Sequence, residues 1–254
     1  MKSLIRAFRA ELIKSKRTYG LLISILIPIL ITGLQFLIFF IKHEYFARFG
    51  FNPWKIMGDN LFNTMGLVVL PLYLIIIAYL INFTEHRSGA WKYLFSLPIP
   101  KFSIYTAKIL LTFLWLLIFC LLTALLFFAS GWLLVKLRPD IGFQDYNINI
   151  LIIISFVKIF ISCAGILAIQ FFMSIYWKDF IRPVGIGIAC VIVAIILGSW
   201  KMIYIFPYSN PKLVAKSLAA QETNIFIEPV IISIIFSIIF FIGGYFLLAK
   251  QEVK

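Results

Sequence analysis

Long apolar runs separated by short polar segments dominate the pattern of this 254-residue chain. Each run reaches or exceeds the roughly 20 residues that an α-helix needs to cross a bilayer. Apolar and polar residues do not alternate within the runs, as they would in half-buried strands. The predicted fold is therefore an all-α polytopic membrane protein with one transmembrane domain, residues 1–254. The six predicted transmembrane helices cover residues 19–41, 61–83, 104–135, 148–176, 183–206 and 226–249.

The segment before the first run, residues 1–18, has its own pattern. Leu4, Phe8 and Leu12 recur at helical spacing, with Ile5 beside them, and the basic residues lie largely on the other side. This pattern predicts an interfacial helix with its cations toward anionic headgroups, so membrane lipids are expected partners. A solvated basic tail is the alternative. We expect the first run to be retained, because it is too long for a signal peptide and no cleavage site follows it.

Composition and charge support membrane insertion and give an orientation. The chain is 63% hydrophobic and 13% charged, whereas soluble domains are about half apolar and about 25% charged. Most of the net charge of +13 comes from Lys and Arg between the apolar runs, which indicates membrane topology and not a nucleic-acid partner. With both termini in the cytoplasm, the inner segments hold more Lys and Arg than the outer loops. The sequence thus predicts an N-in/C-in orientation.

The loop at residues 84–101, between the second and third runs, has the pattern of a short docking helix. Ser88 is placed to cap it, and Pro98 and Pro100 stop it. Trp91 leads an aromatic face with charged residues around it, which favours contact with a soluble partner. A helix lying in the headgroups is the alternative. The predicted contact residues are Glu85, Arg87, Gly89, Trp91, Lys92, Leu94 and Phe95.

Two further features lie in or near the predicted spans. The stretch containing Phe206, Pro207 and Pro211 is apolar but too short and too broken by proline to span, which predicts a re-entrant or interfacial hairpin. A plain loop is the alternative. Lys158 is a charge that enters the fourth run. It is expected either to face a substrate pathway or to lie at a subunit interface or snorkel outward.

The residue sets of intramembrane enzymes are missing from the sequence. His43 and His86 lie in different loops, and no Asp or Glu lies deep inside a predicted span. Cys120, Cys163 and Cys190 lie in apolar runs without neighbours at metal-ligand spacing. The phosphate-binding pattern Gly-x-x-x-x-Gly-Lys-Ser/Thr does not occur. We therefore expect no catalytic residue, cofactor or metal site in this chain.

The order of these motifs resembles the membrane subunits of ABC-2 type transporters, closest to the small permeases of lantibiotic-immunity exporters. The resemblance covers nearly the whole chain and rests on three segments: Phe8 to Lys14 before the first run, Glu85-x-Arg-Ser-Gly-Ala-Trp-Lys92 followed by Ser96-Leu-Pro98, and Phe206-Pro-Tyr-Ser-x-Pro211. In that family the loop between spans two and three is the coupling helix, and the stretch before the last span forms extracellular re-entrant helices.

The resemblance implies a permease of a bacterial cytoplasmic membrane exporter that moves an amphiphilic substrate such as an antimicrobial peptide, a lipid or a drug. Its ATPase is expected on a separate chain, in two copies that hold ATP and Mg²⁺. A second permease, identical or paralogous, is expected beside this one. An ATPase-independent secondary transporter or a membrane scaffold is the alternative, although the sequence shows neither an internal repeat nor a carboxylate near the middle of a predicted span, which would support the former.

Overall fold

The computed structural model describes residues 2–16, 18–47, 52–88, 99–146 and 150–250. Within these ranges the regular structure is helical, and no β-strand occurs. The α-helices are α1 Lys2–Ser15, α2 Gly20–Ile41, α3 His43–Ala47, α4 Pro53–Thr64, α5 Leu70–Ser88, α6 Lys101–Leu137, α7 Ile150–Tyr176, α8 Ile181–Ile196, α9 Asn210–Ala219 and α10 Glu228–Lys250. Among the described residues, five helices are long and apolar enough to cross a membrane: α2, the continuous pair α4 and α5, α6, α7 and α10. Helix α8 is apolar but shorter. The prediction of an all-helical membrane protein is confirmed; six spans were predicted, and the described residues contain five to six candidate membrane helices.

The second membrane helix begins earlier than predicted. Asn52 caps α4, because its side-chain oxygen accepts hydrogen bonds from the amides of Trp54 and Lys55, and Pro53 occupies the first turn. A π-helical turn, Met65–Val69, then joins α4 to α5 without a break. The apolar pattern starts at residue 61 because the first turns of α4 carry polar residues, so hydropathy alone misses them.

The helix in the fifth predicted span ends earlier than predicted. α8 stops at Ile196, ten residues before the predicted end, and turns follow it. The Gly198 amide donates to the Ile195 carbonyl, a tight turn that glycine favours after a helix. The 16 residues of α8 span about 24 Å, less than the roughly 30 Å of a hydrocarbon core. Apolar residues continue beyond this turn, which is why the hydropathy pattern overestimates the helix.

Helix α7 lies at the centre of the bundle. Of its most apolar window, 67% is buried, against 22% for α2 and 17% for α10. Its most extensive contacts are with α10, and it also packs against α5 and α9. Because α7 passes through the middle, its residues serve as a ruler for the depth of the segments around it.

Both described ends of the chain lie at one end of the bundle, which we call the base. Helix α1 packs along the first turns of α6, where Ser3 and Ser103 hydrogen-bond at 3.2 Å. The last turn of α10 reaches the same place, since Lys101 donates to the carbonyl of Ala249 at 3.2 Å. Leu12 of α1 packs against the core, while Ile5 is 50% exposed.

Candidate functional site

The last turns of α5 are tied into the base on more than one side. Asn82 donates to Ser174 Oγ at 2.7 Å, and His86 Nε2 donates to the Ser174 carbonyl at 2.8 Å. Both bonds join α5 to the end of α7. Asn82 is fully buried and Glu85, between them on the sequence, is 2% exposed. The chain therefore enters residues 89–98 from a stem that is fixed to its neighbours.

Glu85 belongs to a closed ring of four alternating charges, which we call the basal ring. Lys108 of α6 contacts Glu11 and Glu85 at 2.9 Å each. Lys14 of α1 completes the ring, at 3.0 Å from Glu11 and 3.1 Å from Glu85. The ring is neutral overall and joins α1, α5 and α6. Burial of these charges is tolerated because each contacts two groups of opposite sign.

The basal ring shifts the pKa values of Glu85 and Lys14, which lie outside the membrane-spanning segments. Burial raises the pKa of the Glu85 carboxyl, but Lys108 and Lys14 lower it by more, so its pKa lies below the ordinary value of 4.5. Burial lowers the pKa of Lys14, but Glu11 and Glu85 raise it above 10.5. Both residues therefore stay charged at neutral pH.

The chain leaves residues 89–98 into a second stem, the start of α6. Pro100 precedes the helix, and the amide of Ser103 donates to its carbonyl at 2.9 Å. Lys101 anchors this stem to α10, and Lys108 anchors it to the basal ring two turns later. The two stems that flank residues 89–98 thus contact α1, α7 and α10.

The predicted coupling residues fall into two groups. Gly89, Trp91, Lys92, Leu94 and Phe95 lie outside the described residues, so their role stays a prediction. Glu85 and Arg87 lie in the last turns of α5, which extends to Ser88. Whether Ser88 caps a following helix depends on residues outside the described ranges, so that role also stays a prediction. The anchored side chains of Glu85 and His86 explain why the helix continues so far. Since Glu85 is buried in the ring, it is not positioned as a charge at the rim of a partner's groove.

Glu11, Lys14 and Lys108 were not predicted as a group. Glu11 and Lys14 stand three residues apart on α1, a spacing that places them on one helix face. Lys108 lies seven residues inside α6, where a lone cation in an apolar run signals a buried partner. Their pairing with Glu85 joins distant parts of the sequence, which no local pattern reveals.

At the other end of the bundle, residues 203–219 form a segment that packs inward, which we call the inserted segment. It consists of two 3₁₀ turns, Ile203–Ile205 and Pro207–Ser209, followed by α9. Asn210 is fully buried and donates to Ser233 Oγ of α10 at 2.9 Å. α9 also packs against α4 and α7.

Lys158 of α7 holds the far end of the inserted segment. Its side chain is fully buried, and Nζ donates to the Glu222 carbonyl at 2.5 Å and lies 3.4 Å from Ser217 Oγ. These bonds join α7 to the last turn of α9 and to the loop after it. The ammonium therefore has two hydrogen-bond acceptors inside this chain. Its proposed substrate-pathway or subunit-interface role stays a prediction.

Contacts with α7 give the depth of the inserted segment. A Cβ at Gly165 would lie 3.3 Å from Pro207, and Gly165 is about 17 Å along the axis from Tyr176 at the base end. Lys158, which contacts the other end of the segment, is about 27 Å from Tyr176 by the same measure. The segment thus begins beside the middle of α7 and returns toward the end opposite the base.

The predicted hairpin residues lie where the inserted segment turns. Pro207 and Pro211 are buried, and Phe206 is half-buried. Next to them, Tyr208 accepts a hydrogen bond from Gln170 Nε2 of α7 at 2.7 Å.

Gly66 permits the backbone of the π-helical turn to approach the backbone of the inserted segment closely. A Cβ at that position would lie 2.5 Å from the Pro211 carbonyl oxygen, so no side chain fits without movement. Gly66 lies in the π-helical turn between α4 and α5. Such turns re-aim a helix locally. This contact was not predictable from the sequence, because nothing local distinguishes Gly66 from a packing glycine.

No group of three His, Cys, Asp or Glu side chains that is able to hold a metal occurs in the described part of the chain. The contacts described above are ion pairs and hydrogen bonds between helices. These contacts hold neighbouring helices in fixed positions.

A protein-family model described as ABC-2 family transporter protein matches residues 7–194. The match covers 188 of the 254 residues, from α1 into α8, and includes all four members of the basal ring. No curated protein and no solved structure matches the chain at a significant level.

Proposed function

Because this chain belongs to the ABC-2 family of transporter proteins, we propose that it is the permease of an ATP-driven exporter whose ATPase is a separate polypeptide. It is a multi-pass membrane component of a transporter, and the family implies partnership with an ABC ATPase. The observation that carries the proposal is the anchoring of both stems around residues 89–98 by buried charges at the base. A permease without a nucleotide site receives the energy of ATP only through contact with its ATPase.

In this proposal, residues 89–98 form the coupling element and the base faces the cytoplasm. Trp91, Leu94 and Phe95 provide the apolar contact, and Arg87 and Lys92 set its register. The excess of Lys and Arg in the segments on this side favours the orientation. The basal ring acts behind the contact surface: it makes α1, α5 and α6 move together when the segment is displaced. A loosely held loop would absorb the displacement instead.

The inserted segment is proposed to be re-entrant from the outer side. Its start contacts the middle of α7, which is about 40 Å long, so this part lies at the depth of the hydrocarbon core. Non-helical backbone is tolerated at that depth only where protein covers it. The burial of Pro207, Tyr208 and Asn210 meets this condition.

The proposed substrate is an amphiphilic compound such as an antimicrobial peptide, a lipid or a drug, as in lantibiotic-immunity exporters. The proposed assembly contains two ATPase subunits and a second permease, identical or paralogous, in a bacterial cytoplasmic membrane. Mg²⁺ and ATP are held by the ATPase chains. The resemblance to small exporter permeases supports these assignments.

Affinity purification of the tagged full-length chain from its native host tests the function. We expect an ATPase with a Gly-x-x-x-x-Gly-Lys-Ser/Thr sequence to co-purify in detergent. Trp91→Ala with Phe95→Ala should reduce its recovery at least tenfold, because truncation of a buried indole in an interface commonly costs about 2 kcal/mol or more. Lys92→Ala should reduce recovery less and in a salt-dependent manner. Absence of any ATPase from the wild-type preparation contradicts the proposal and favours a secondary transporter or scaffold.

Cysteine labelling in intact cells tests the orientation separately. The exposed residues Asn224 and Lys16 lie at opposite ends of the bundle. In a background without native cysteines, Asn224→Cys should react with an impermeant maleimide from outside, and Lys16→Cys only after permeabilisation. The reverse pattern contradicts the proposed coupling, because residues 89–98 would then face away from a cytosolic ATPase.

A further inference from the structure

A groove of about 420 Å³ lies at the base between the second half of α1, the start of α2 and the side of α6. Its volume falls within the roughly 300–1,000 Å³ of typical small-molecule sites. It is open on one side. The groove lies beside the basal ring and shares none of the ring's four residues.

The walls of the groove are apolar and its edge is basic. Leu114, Trp115 and Ile118 of α6 line one wall, and Leu12 of α1 lies opposite. Arg9 and Lys16 lie at the edge. The groove is therefore amphipathic, with an apolar surface next to the Arg9 guanidinium and the Lys16 ammonium.

The two basic residues are available to a ligand. Arg9 and Lys16 are exposed, and neither has an ion pair with a carboxylate in the described part of the chain. Lys14, on the same helix, has both of its carboxylates in the basal ring. The basic residues of α1 thus divide into an internally paired lysine and two cations that border the groove.

Trp115 provides an independent sign of a ligand. Its side chain is 3% exposed, and its indole Nε1 has no hydrogen-bond partner within the described residues. A buried N–H group without an acceptor is unfavourable, and native proteins seldom contain one. Trp115 lines the groove, and an acceptor oxygen of a bound molecule would reach this nitrogen after a shift of the groove wall.

We propose that the groove binds one anionic phospholipid from the leaflet that surrounds the base. The phosphate is held by Arg9 and Lys16, and an acyl chain lies along Leu114 and Ile118. When the groove wall shifts around the lipid, the Trp115 indole donates to a phosphate or ester oxygen. A lipid fits better than a soluble anion because the walls are apolar and lead to exposed apolar side chains: Ile13 is 66% exposed and Leu21 is 44% exposed. Such a lipid joins α1, α2 and α6 from the bilayer side.

Native mass spectrometry of the purified full-length chain in a neutral maltoside detergent tests this site. Dioleoylphosphatidylglycerol and dioleoylphosphatidylcholine are the two probes. We expect one phosphatidylglycerol to bind at least about tenfold more tightly than phosphatidylcholine. Arg9→Gln with Lys16→Gln should weaken phosphatidylglycerol binding about 20-fold, since a basic residue near an anionic lipid contributes a factor of about five.

Two matched controls separate the site from general attraction and from misfolding. Lys2→Gln with Arg6→Gln removes the same charge from exposed positions of α1 outside the groove. That control should change binding by about twofold or less. Ile118→Trp should fill the groove and abolish binding, whereas Leu117→Trp, at a neighbouring exposed position outside the groove, should not.

Several outcomes overturn the proposal. The first is an equal loss of binding in the two charge variants, which would indicate non-specific attraction to α1. The second is unchanged binding in Ile118→Trp at wild-type thermal stability. The third is displacement of the bound lipid by an excess of inorganic phosphate, which would mean that the headgroup anion alone is recognised. Equal binding of phosphatidylcholine would show that the cations do not select the ligand.

Discussion

Removal of Lys108 is the sharpest perturbation of the basal ring. Lys108→Met keeps the length of the side chain and its packing but removes the charge that contacts Glu11 and Glu85. Lys14 alone then faces two buried carboxylates, and one negative charge is uncompensated. We expect α1 to separate from α6 more easily as a result.

The magnitude follows from the burial of the pair. Removing one partner of a buried ion pair typically costs about 3–5 kcal/mol. Lys14 compensates part of this loss, and its side chain is 36% exposed, so solvent screens some of the repulsion. The expected cost is therefore at the lower end, about 3 kcal/mol. That free energy corresponds to about a hundredfold increase in the population in which α1 is detached.

Thiol labelling measures this population. Ala7 of α1 is 6% exposed, so Ala7→Cys in a background without native cysteines reacts only when α1 opens. In detergent at neutral pH, Lys108→Met should raise the maleimide labelling rate about a hundredfold. Adding Glu11→Gln removes the excess carboxylate and leaves the Lys14–Glu85 pair balanced. The double variant should label within about tenfold of the parent.

An exposed ion pair serves as the control. Arg182 and Asp179 form an i,i+3 pair with side chains 65% and 44% exposed. Arg182→Met should change the labelling rate by no more than about twofold, because exposed pairs contribute little. The reasoning is refuted if Lys108→Met labels no faster than this control. It is equally refuted if adding Glu11→Gln makes labelling faster still.

Three further predictions use the thermal unfolding midpoint in detergent as the readout. Gly66→Ala should destabilise by about 1–3 kcal/mol, because its Cβ would press on the backbone of α9, whereas Gly33→Ala meets nothing within 4 Å and should not; equal midpoints would contradict the close approach. Lys158→Met should lower stability by about 1.5–3 kcal/mol through loss of a charged hydrogen-bond donor, while the exposed Lys216→Met should be neutral; a neutral Lys158→Met would mean that its bonds do not hold α9. The depressed pKa of Glu85 stabilises the fold above its ordinary value of 4.5, and this contribution is lost as pH falls below that value; Glu85→Gln should therefore show a smaller drop in midpoint between pH 6 and pH 4 than the parent, and an unchanged drop would exclude its contribution.

The existence of the membrane helices was predictable from sequence, but several of their ends were not. Hydropathy reports the apolar content of a window, so it found the regions of α2, α6, α7 and α10 closely. It extended the fifth span to residue 206, because apolar residues continue past the turn at Gly198. It also missed the first turns of α4, whose start depends on the Asn52 cap and not on hydrophobicity.

The candidate site was less predictable, since it depends on which helices meet. Glu85 was singled out in the sequence as a residue of a docking surface, but the structure buries it in the basal ring. Its burial depends on Lys108 and Glu11, which approach it only after α1 and α6 pack together. Lys158 was recognisable as an unusual charge, yet its acceptor is a backbone carbonyl at Glu222, which leaves no trace in side-chain identity.

Photo-crosslinking in living cells tests whether residues 89–98 of this permease contact a cytosolic ATPase. Benzoylphenylalanine would replace Trp91, with the same replacement at exposed Asn224 on the opposite end of the bundle as the control. We expect irradiation to link the Trp91 position to a chain that contains Gly-x-x-x-x-Gly-Lys-Ser/Thr. The Asn224 position should give no such adduct. Adducts of the Trp91 position with lipid alone, or an ATPase adduct formed only from Asn224, would contradict this expectation.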